Sequence, residues 1–344
     1  MPGTQKALFL ESKFGQYTLR ERDIPTPGRG QLLVQIRATG LNPVDWKLQK
    51  YGFFIENFPA IVGTDIAGVV EEIGEGVSGY AKGDRVLFQG QWENNKAGYQ
   101  QYTIADAETT AKMPPDLSFE EAATVTVALA AAITGLYLPK PHGAGFTSPF
   151  DVSNRGKYSG KPIVVLGGAT SVGQYVIQSA KISGFSPIIT TASLKHEKFL
   201  KSLGATHVLD RQLSSASLKA ETARITSAPI DIVYDAVSRP DTQEAGLGLL
   251  RSGGSLVVVL SPVVKATDGK DVIHTAGMWT FPHSRALGVQ LYSALTELLD
   301  KGLIKPNRVE VLSGGLNGVV GGLARLEADQ VSGVKLVVRP QETD

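Results

Sequence analysis

The run Val164-Val165-Leu166-Gly167-Gly168-Ala169-Thr170-Ser171-Val172-Gly173-Gln174 places small residues where an apolar stretch gives way to a helical pattern. Side chains this small let the backbone approach a pyrophosphate, and a helix N-terminus adds amide donors and a positive dipole end. Ala169, Thr170, Ser171 and Val172 are therefore the candidate phosphate cradle. Many strand-to-helix turns need glycine for steric reasons alone; the strand–turn–helix setting is what gives this one meaning. At the end of the next apolar run, Thr190-Thr191-Ala192-Ser193-Leu194-Lys195-His196 contains no acid before Glu197. Sites for NAD usually carry Asp or Glu there to bind the ribose 2′-hydroxyl. The hydroxyl of Ser193, the ammonium of Lys195 and the imidazole of His196 suit a 2′-phosphate instead. Arg211, just after Val208-Leu209-Asp210, adds a second cation. NADPH is the expected cofactor. The plainer alternative is that Lys195 and His196 are solvated residues opening the next helix.

Cysteine is absent from all 344 residues. That excludes disulfides, thiolate nucleophiles and cysteine-bound metal. The five histidines, His142, His196, His207, His274 and His283, show no metal-ligand spacing. Net charge is +1 with no basic stripe, so nucleic acid is not an expected partner. The longest apolar run, Val125 to Leu138, is broken by Thr126, Thr134 and Gly135 and falls short of the ~20 residues of a membrane span. No membrane partner is expected, and a cytoplasmic location follows by default.

Two textures position these residues. The first third holds short β-branched runs punctuated by Gly-Asp and Pro-Gly turns, which predict an antiparallel, barrel-like β domain. Ser118 and Glu121 then form a capping-box pattern ahead of an alanine-rich helix. Pro139 to Lys161 reads as a surface connector. From Lys161, apolar strands alternate with helical segments, the pattern of a doubly wound parallel sheet. An amphipathic helix ending at Gly302 and a strand-like tail, VSGVKLVVRP, close the chain.

Several short pieces together carry a resemblance. They are Leu41-Asn42-Pro43-Val44-Asp45-Trp46-Lys47, Pro59 to Gly68, Gly83-Asp84-Arg85-Val86, Ala97-Gly98-Tyr99, Leu203-Gly204-Ala205-Thr206 and Gly333-Val334-Lys335-Leu336-Val337. With the nucleotide turn, they make the chain resemble the medium-chain dehydrogenase/reductase superfamily over its whole length. The implied fold is α/β: a GroES-like β-barrel catalytic domain over 1–126 and 287–344, and a doubly wound Rossmann NADPH-binding domain over 127–286. Zinc enzymes of the superfamily show Gly-His-Glu where this chain has Gly63-Thr64-Asp65. The zinc-free branch of quinone oxidoreductases and enoyl or enone reductases is what it resembles, and the trans-acting fungal polyketide enoyl reductases most.

The implied reaction is hydride transfer from NADPH to the β-carbon of a C=C conjugated with a carbonyl, without metal. The alternatives are an NADPH:quinone oxidoreductase and a non-catalytic NADPH-binding accessory subunit. The implied partner is a small-molecule or carrier-tethered enoyl substrate, the latter from a polyketide synthase. Matching motifs place Val44, Asp45, Trp46 and Lys47 beside the nicotinamide, Val237, Leu260 and Ser261 at its ribose, and Val334 and Lys335 at the closure of the cofactor cleft. Lys47 is the first candidate donor to the developing enolate and Tyr51 the second; a surface lysine and an aromatic wall of Tyr51, Phe53 and Phe54 are the alternatives. Asp45 reads equally as a turn or ion-pair residue. Trp279 and Phe281 match a substrate-facing region, or form an aromatic core patch. Arg211 stands where polyketide-associated members often carry Tyr, and Ala128 where some carry a hydroxyl.

Overall fold

The computed structural model describes residues 3–344. The chain divides into two compact units, one of 1–127, 292–300 and 306–344, the other of 128–291 and 301–305.

The first unit opens with β1 (Thr4–Leu10), β2 (Tyr17–Asp23), β3 (Gln31–Gly40), helix α1 (Pro43–Tyr51), β4 (Ala60–Ile61), β5 (Asp65–Ile73), β6 (Arg85–Gln89), β7 (Tyr102–Asp106) and β8 (Thr110–Lys112). Ser118 caps α2 (Phe119–Ala122), accepting from the Glu121 amide at 3.2 Å, while the Glu121 carboxylate accepts from the Ser118 amide at 3.1 Å. The expected continuous helix is broken after Ala122 and resumes as α3 (Thr126–Tyr137). The apolar stretch 119–137 is long enough to span a membrane, but 72% of its apolar window is buried inside the protein, as a core helix requires.

The second unit alternates regularly: β9 (Ile163–Leu166), α4 (Ser171–Ser183), β10 (Ile188–Ala192), α5 (Glu197–Leu203), β11 (His207–Asp210), α6 (Ser215–Ile225), β12 (Ile232–Asp235), α7 (Pro240–Leu249), β13 (Ser255–Val258) and β14 (Asp271–His274). Helix α8 (Pro282–Asp300) follows, and β15 (Val309–Val311), α9 (Gly318–Glu327) and β16 (Lys335–Val338) complete the chain. Helix α8 begins with Pro282, at a position where the missing N–H costs nothing. The elements α6, β14 and α9 were not legible as such.

In the first unit, β15-β16-β3-β5-β6-β8 form one sheet with β7 also on β3, and β2-β1-β4 form a second. Pairing is antiparallel except between β15 and β16. This is the antiparallel GroES-like half. Its core joins Leu8, Leu41, Leu48, Ile61, Leu323 and Leu336.

The second unit holds the doubly wound half. Six parallel strands run in the order β11-β10-β9-β12-β13-β14, so the winding reverses between β9 and β12. Strands β9, β12 and β13 are buried at every residue, as a sheet covered on both faces demands. In such sheets a ligand binds beyond the strand carboxyl ends at the point of reversal.

Candidate functional site

The turn after β9 lies at that point. Gly167 has φ 79°, a left-handed value that glycine adopts without strain. A Cβ on Gly168 would come within 2.1 Å of Thr190 Oγ1, and one on Gly173 within 2.3 Å of the Gly167 carbonyl oxygen. The turn is tied to β10: the Gly167 amide donates to Thr191 Oγ1 at 3.1 Å and the Gly168 amide to the Thr191 carbonyl at 2.9 Å. Thr170 caps α4, its hydroxyl accepting from the Gly173 amide at 3.0 Å. Among the described residues the Ser171 and Val172 amides meet no protein acceptor. Ala169, Thr170, Ser171 and Val172 are all half-buried. A thirteen-residue helix thus presents two free first-turn donors at the end of a turn whose glycines let it pack closely against Thr190 and Val237.

Across the reversal, Val237 follows β12 and packs on the turn; a Cβ at Gly167 would lie 2.4 Å from Val237 Cγ2. Buried Asp235 shapes this loop, accepting from the Val237 and Ser238 amides at 3.0 and 2.8 Å and from Thr242 Oγ1 at 2.7 Å. Burial nonetheless pushes its carboxyl above the usual range. Gln243 donates to the Ser238 and Ser261 carbonyls and accepts from the Val263 amide, so one buried amide side chain joins the loops after β12 and β13. Leu260 and Ser261 are exposed there. Thr191, Asp235 and Gln243 escaped the sequence reading; a polar residue ending a buried strand was the available signal for Asp235.

At the ends of β10 and β11, the Arg211 amide donates to the Ala192 carbonyl at 3.0 Å, which brings Arg211 beside Ser193. Lys195 and Arg211 are exposed and Ser193 half-buried. His196 departs from expectation: it is 7% exposed, because the short helical turn it closes directs it inward. The groups presented there are a hydroxyl, an ammonium and a guanidinium, the donor set that fits a 2′-phosphate. Trp279 and Phe281 also part company. Trp279 is buried against α8, where a Cβ on Gly288 would meet its ring at 2.8 Å, and Phe281 is 40% exposed and stacked on His283.

In the first unit, α1 carries Val44, Asp45, Trp46, Lys47 and Tyr51. Asp45 is fully buried, which corrects its placement as a nicotinamide contact. Its carboxylate accepts from the Asn42 amide at 2.8 Å, closing a capping box, and from the Tyr99 hydroxyl at 2.6 Å. Its other oxygen has no partner. Burial pushes the carboxyl up to about 6, against the pull of Tyr99, Asn42 and Lys335. Asp45 fixes the start of α1 from below.

Lys335 is 4% exposed and likewise committed inward. Its ammonium lies 2.7 Å from Asp65 Oδ2 and donates to Asn42 Oδ1 at 2.5 Å. Asp65 also accepts from Asn42 Nδ2, Thr126 Oγ1 and the Val127 amide. Neighbouring Val334 is half-buried. Lys47 and Tyr51 sit one helical turn apart on α1, Lys47 half-buried and Tyr51 54% exposed. Partial burial pushes the Lys47 ammonium below the usual lysine range, with Asp329 acting the other way. That shift makes it a readier proton donor.

The family described as "Alcohol dehydrogenase GroES-like domain" matches residues 28–115, and the one described as "Zinc-binding dehydrogenase" matches 171–297. A trans-enoyl reductase of Aspergillus sclerotiorum is 34% identical, over 94% of this chain and 97% of its own length. This chain belongs to the medium-chain dehydrogenase/reductase superfamily. A trans-enoyl reductase of a Penicillium species is 29% identical over 98% and 99% of the two chains. Two solved structures share the fold: an alcohol dehydrogenase superfamily protein from Novosphingobium aromaticivorans (TM-score 0.80, 22% identity, 97% and 99% covered) and the quinone oxidoreductase from Coxiella burnetii (TM-score 0.72, 24% identity, 98% and 99% covered).

Within the superfamily this member lies in the zinc-free branch, whatever the second family's description says. It has no cysteine, Thr64 stands at the histidine position, and Asp65 at the carboxylate position is engaged by Lys335. Among the described residues, no group of three His, Cys, Asp or Glu side chains could hold a metal ion.

Proposed function

We propose that this oxidoreductase reduces the C=C bond of an α,β-unsaturated carbonyl compound with NADPH and without a metal ion. The observation that carries this reading is whole-length similarity to trans-enoyl reductases in a chain that has Thr64 at the histidine position of the zinc enzymes and its Asp65 paired with Lys335. A conjugated carbonyl already activates the alkene, so positioning and hydrogen bonding suffice and no Lewis acid is needed.

NADPH, when bound, supplies the hydride that goes to the β-carbon. The Ser171 and Val172 amides bind its pyrophosphate, with Ala169 and Thr170 shaping the turn, and Ser193, Lys195 and Arg211 bind the 2′-phosphate. Val44 and Trp46 flank the nicotinamide, Val237, Leu260 and Ser261 its ribose, and Val334 is a further contact. Phe281 faces substrate. Lys47 holds the proton for the enolate and Tyr51 is the second donor. Asp45, His196, Lys335 and Trp279, all buried, act by holding these groups in place.

A polyketide synthase that presents the enoyl group on a carrier is the partner this reading implies, in the cytoplasm. The test is steady-state NADPH oxidation with one enoyl thioester, one free enone and one quinone. Turnover of the enoyl thioester is expected; consumption with the quinone alone contradicts the reading. Lys47→Ala lowers kcat by about 100-fold if it is the general acid. Near-normal rates in both Lys47→Ala and Tyr51→Phe assign the proton to water.

A further inference from the structure

Five aromatic rings of the first unit form a continuous ladder that the reaction itself does not require. Trp46 meets Tyr51 at 5.9 Å between centroids, Tyr51 stacks on Phe53 at 6.2 Å, Phe53 meets Phe54 edge-on at 4.7 Å, and Phe54 stacks on Trp92 at 5.2 Å. Trp46, Phe53 and Trp92 are anchored against the core of the unit. Tyr51 and Phe54 are not: they are 54% and 67% exposed. Phe54 also holds φ 66°, a left-handed conformation that is costly for a bulky side chain. A strained backbone that holds a phenyl ring outward, parallel to within 11° on an indole, is poor economy for stability alone.

We propose that this ladder is the binding lane for the acyl chain of the substrate, so that the enzyme favours long chains over short ones. The inference rests on the enoyl reductase reading and names its substrate class. Three observations select an acyl chain as the occupant. The ladder begins on α1 at Trp46, with the Lys47 ammonium 5.4 Å from that ring, so its inner end adjoins the candidate proton donor. No charged residue interrupts Tyr51-Gly52-Phe53-Phe54-Ile55, so beyond the Lys47 and Lys50 ammoniums beside Trp46 that segment of the lane is uncharged. The charges around it are mixed, Lys13, Lys47 and Lys50 with Glu56 and Glu327, and Lys50 pairs with Glu327, so no one-signed rim calls for a charged macromolecule. An extended acyl chain can lie against successive rings whether they present a face, as Tyr51 and Phe53 do to each other, or an edge, as between Phe53 and Phe54.

The experiment is a kcat/KM series with NADPH and trans-2-enoyl pantetheine thioesters, lengthened in two-carbon steps from crotonyl to dodecenoyl. Each methylene added along the lane is expected to raise kcat/KM by up to about fourfold before a plateau. In Phe54→Ala, and in Trp92→Leu as a second variant, the crotonyl rate stays within about twofold while the advantage of dodecenoyl falls by about tenfold or more. A flat series in the wild type, or an unchanged slope in both variants, overturns the lane. Tryptophan quenching by the saturated acyl pantetheine thioesters reads the lane without catalysis. Affinity that rises with length and drops in Phe54→Ala supports it even if no thioester turns over, an outcome that would count against the reductase reading alone. Length-independent affinity overturns it.

Discussion

The polar centres of the two units are built on opposite plans. In the first unit, Asn42, Asp65, Lys335, Asp45 and Tyr99 satisfy one another through buried side chains, leaving one carboxylate oxygen unpaired. In the second, the tightly packed glycine turn leads into α4 and leaves the Ser171 and Val172 amides free. One centre is closed and holds a helix in position; the other is open, with the donors a phosphate would need. The contrast separates side chains committed to the fold from backbone donors left free for a ligand.

The largest effect should come from breaking the closed centre. Lys335→Met leaves the Asp65 carboxylate buried without its counter-charge, at a cost of about 3–5 kcal/mol in unfolding free energy. Denaturant titration measures it. Adding Asp65→Asn to that variant should recover part of the loss, because the neutral amide removes the unpaired buried charge and keeps an acceptor oxygen for Thr126 and Val127. A Lys335→Met protein as stable as wild type would mean that the closed centre is not structural.

Legibility followed sequence distance. The nucleotide turn was readable because strand, glycines and helix adjoin, and the Ser118–Glu121 capping box because its partners are three residues apart. The closed centre was not, since Lys335 meets Asn42 across 293 positions and Tyr99 meets Asp45 across 54. No local pattern records such pairings, so Asp45 and Lys335 passed for ligand contacts. The glycine-rich Gly318-Val319-Val320-Gly321-Gly322 opening α9 reads as a loop by propensity, and packing against α1 overrides it. Burial decided the rest: Trp279 and Phe281 are two residues apart, and only coordinates show one inside and one out.

On the open centre, Ser193→Asp places a carboxylate beside Lys195 and Arg211, where a 2′-phosphate would lie. The NADPH-to-NADH ratio of kcat/KM should fall by about 10- to 100-fold, the equivalent of roughly 1.4–2.7 kcal/mol. An unchanged ratio would remove Ser193 from the phosphate site.

A smaller, pH-dependent effect belongs to Asp45. Its folded value of about 6 lies above the ordinary 3.8, so the fold disfavours the ionised form. The stability allowed by the neutral carboxyl is full below the ordinary value and is lost as pH rises through about 6. Asp45→Asn escapes that loss. Its stability relative to wild type should therefore improve between pH 3 and pH 7, by about 3 kcal/mol. A pH-independent difference would contradict the buried, uncompensated carboxylate.

The most direct measurement of the central claim uses chelator-treated protein, NADPH deuterated at the transferable position of the nicotinamide, and an enoyl thioester, with the product read by mass spectrometry and NMR. Metal-free reduction by hydride transfer predicts one deuterium, on the carbon β to the carbonyl, at the same rate with and without chelator. Unlabelled product, or turnover that stops until zinc is restored, would contradict it.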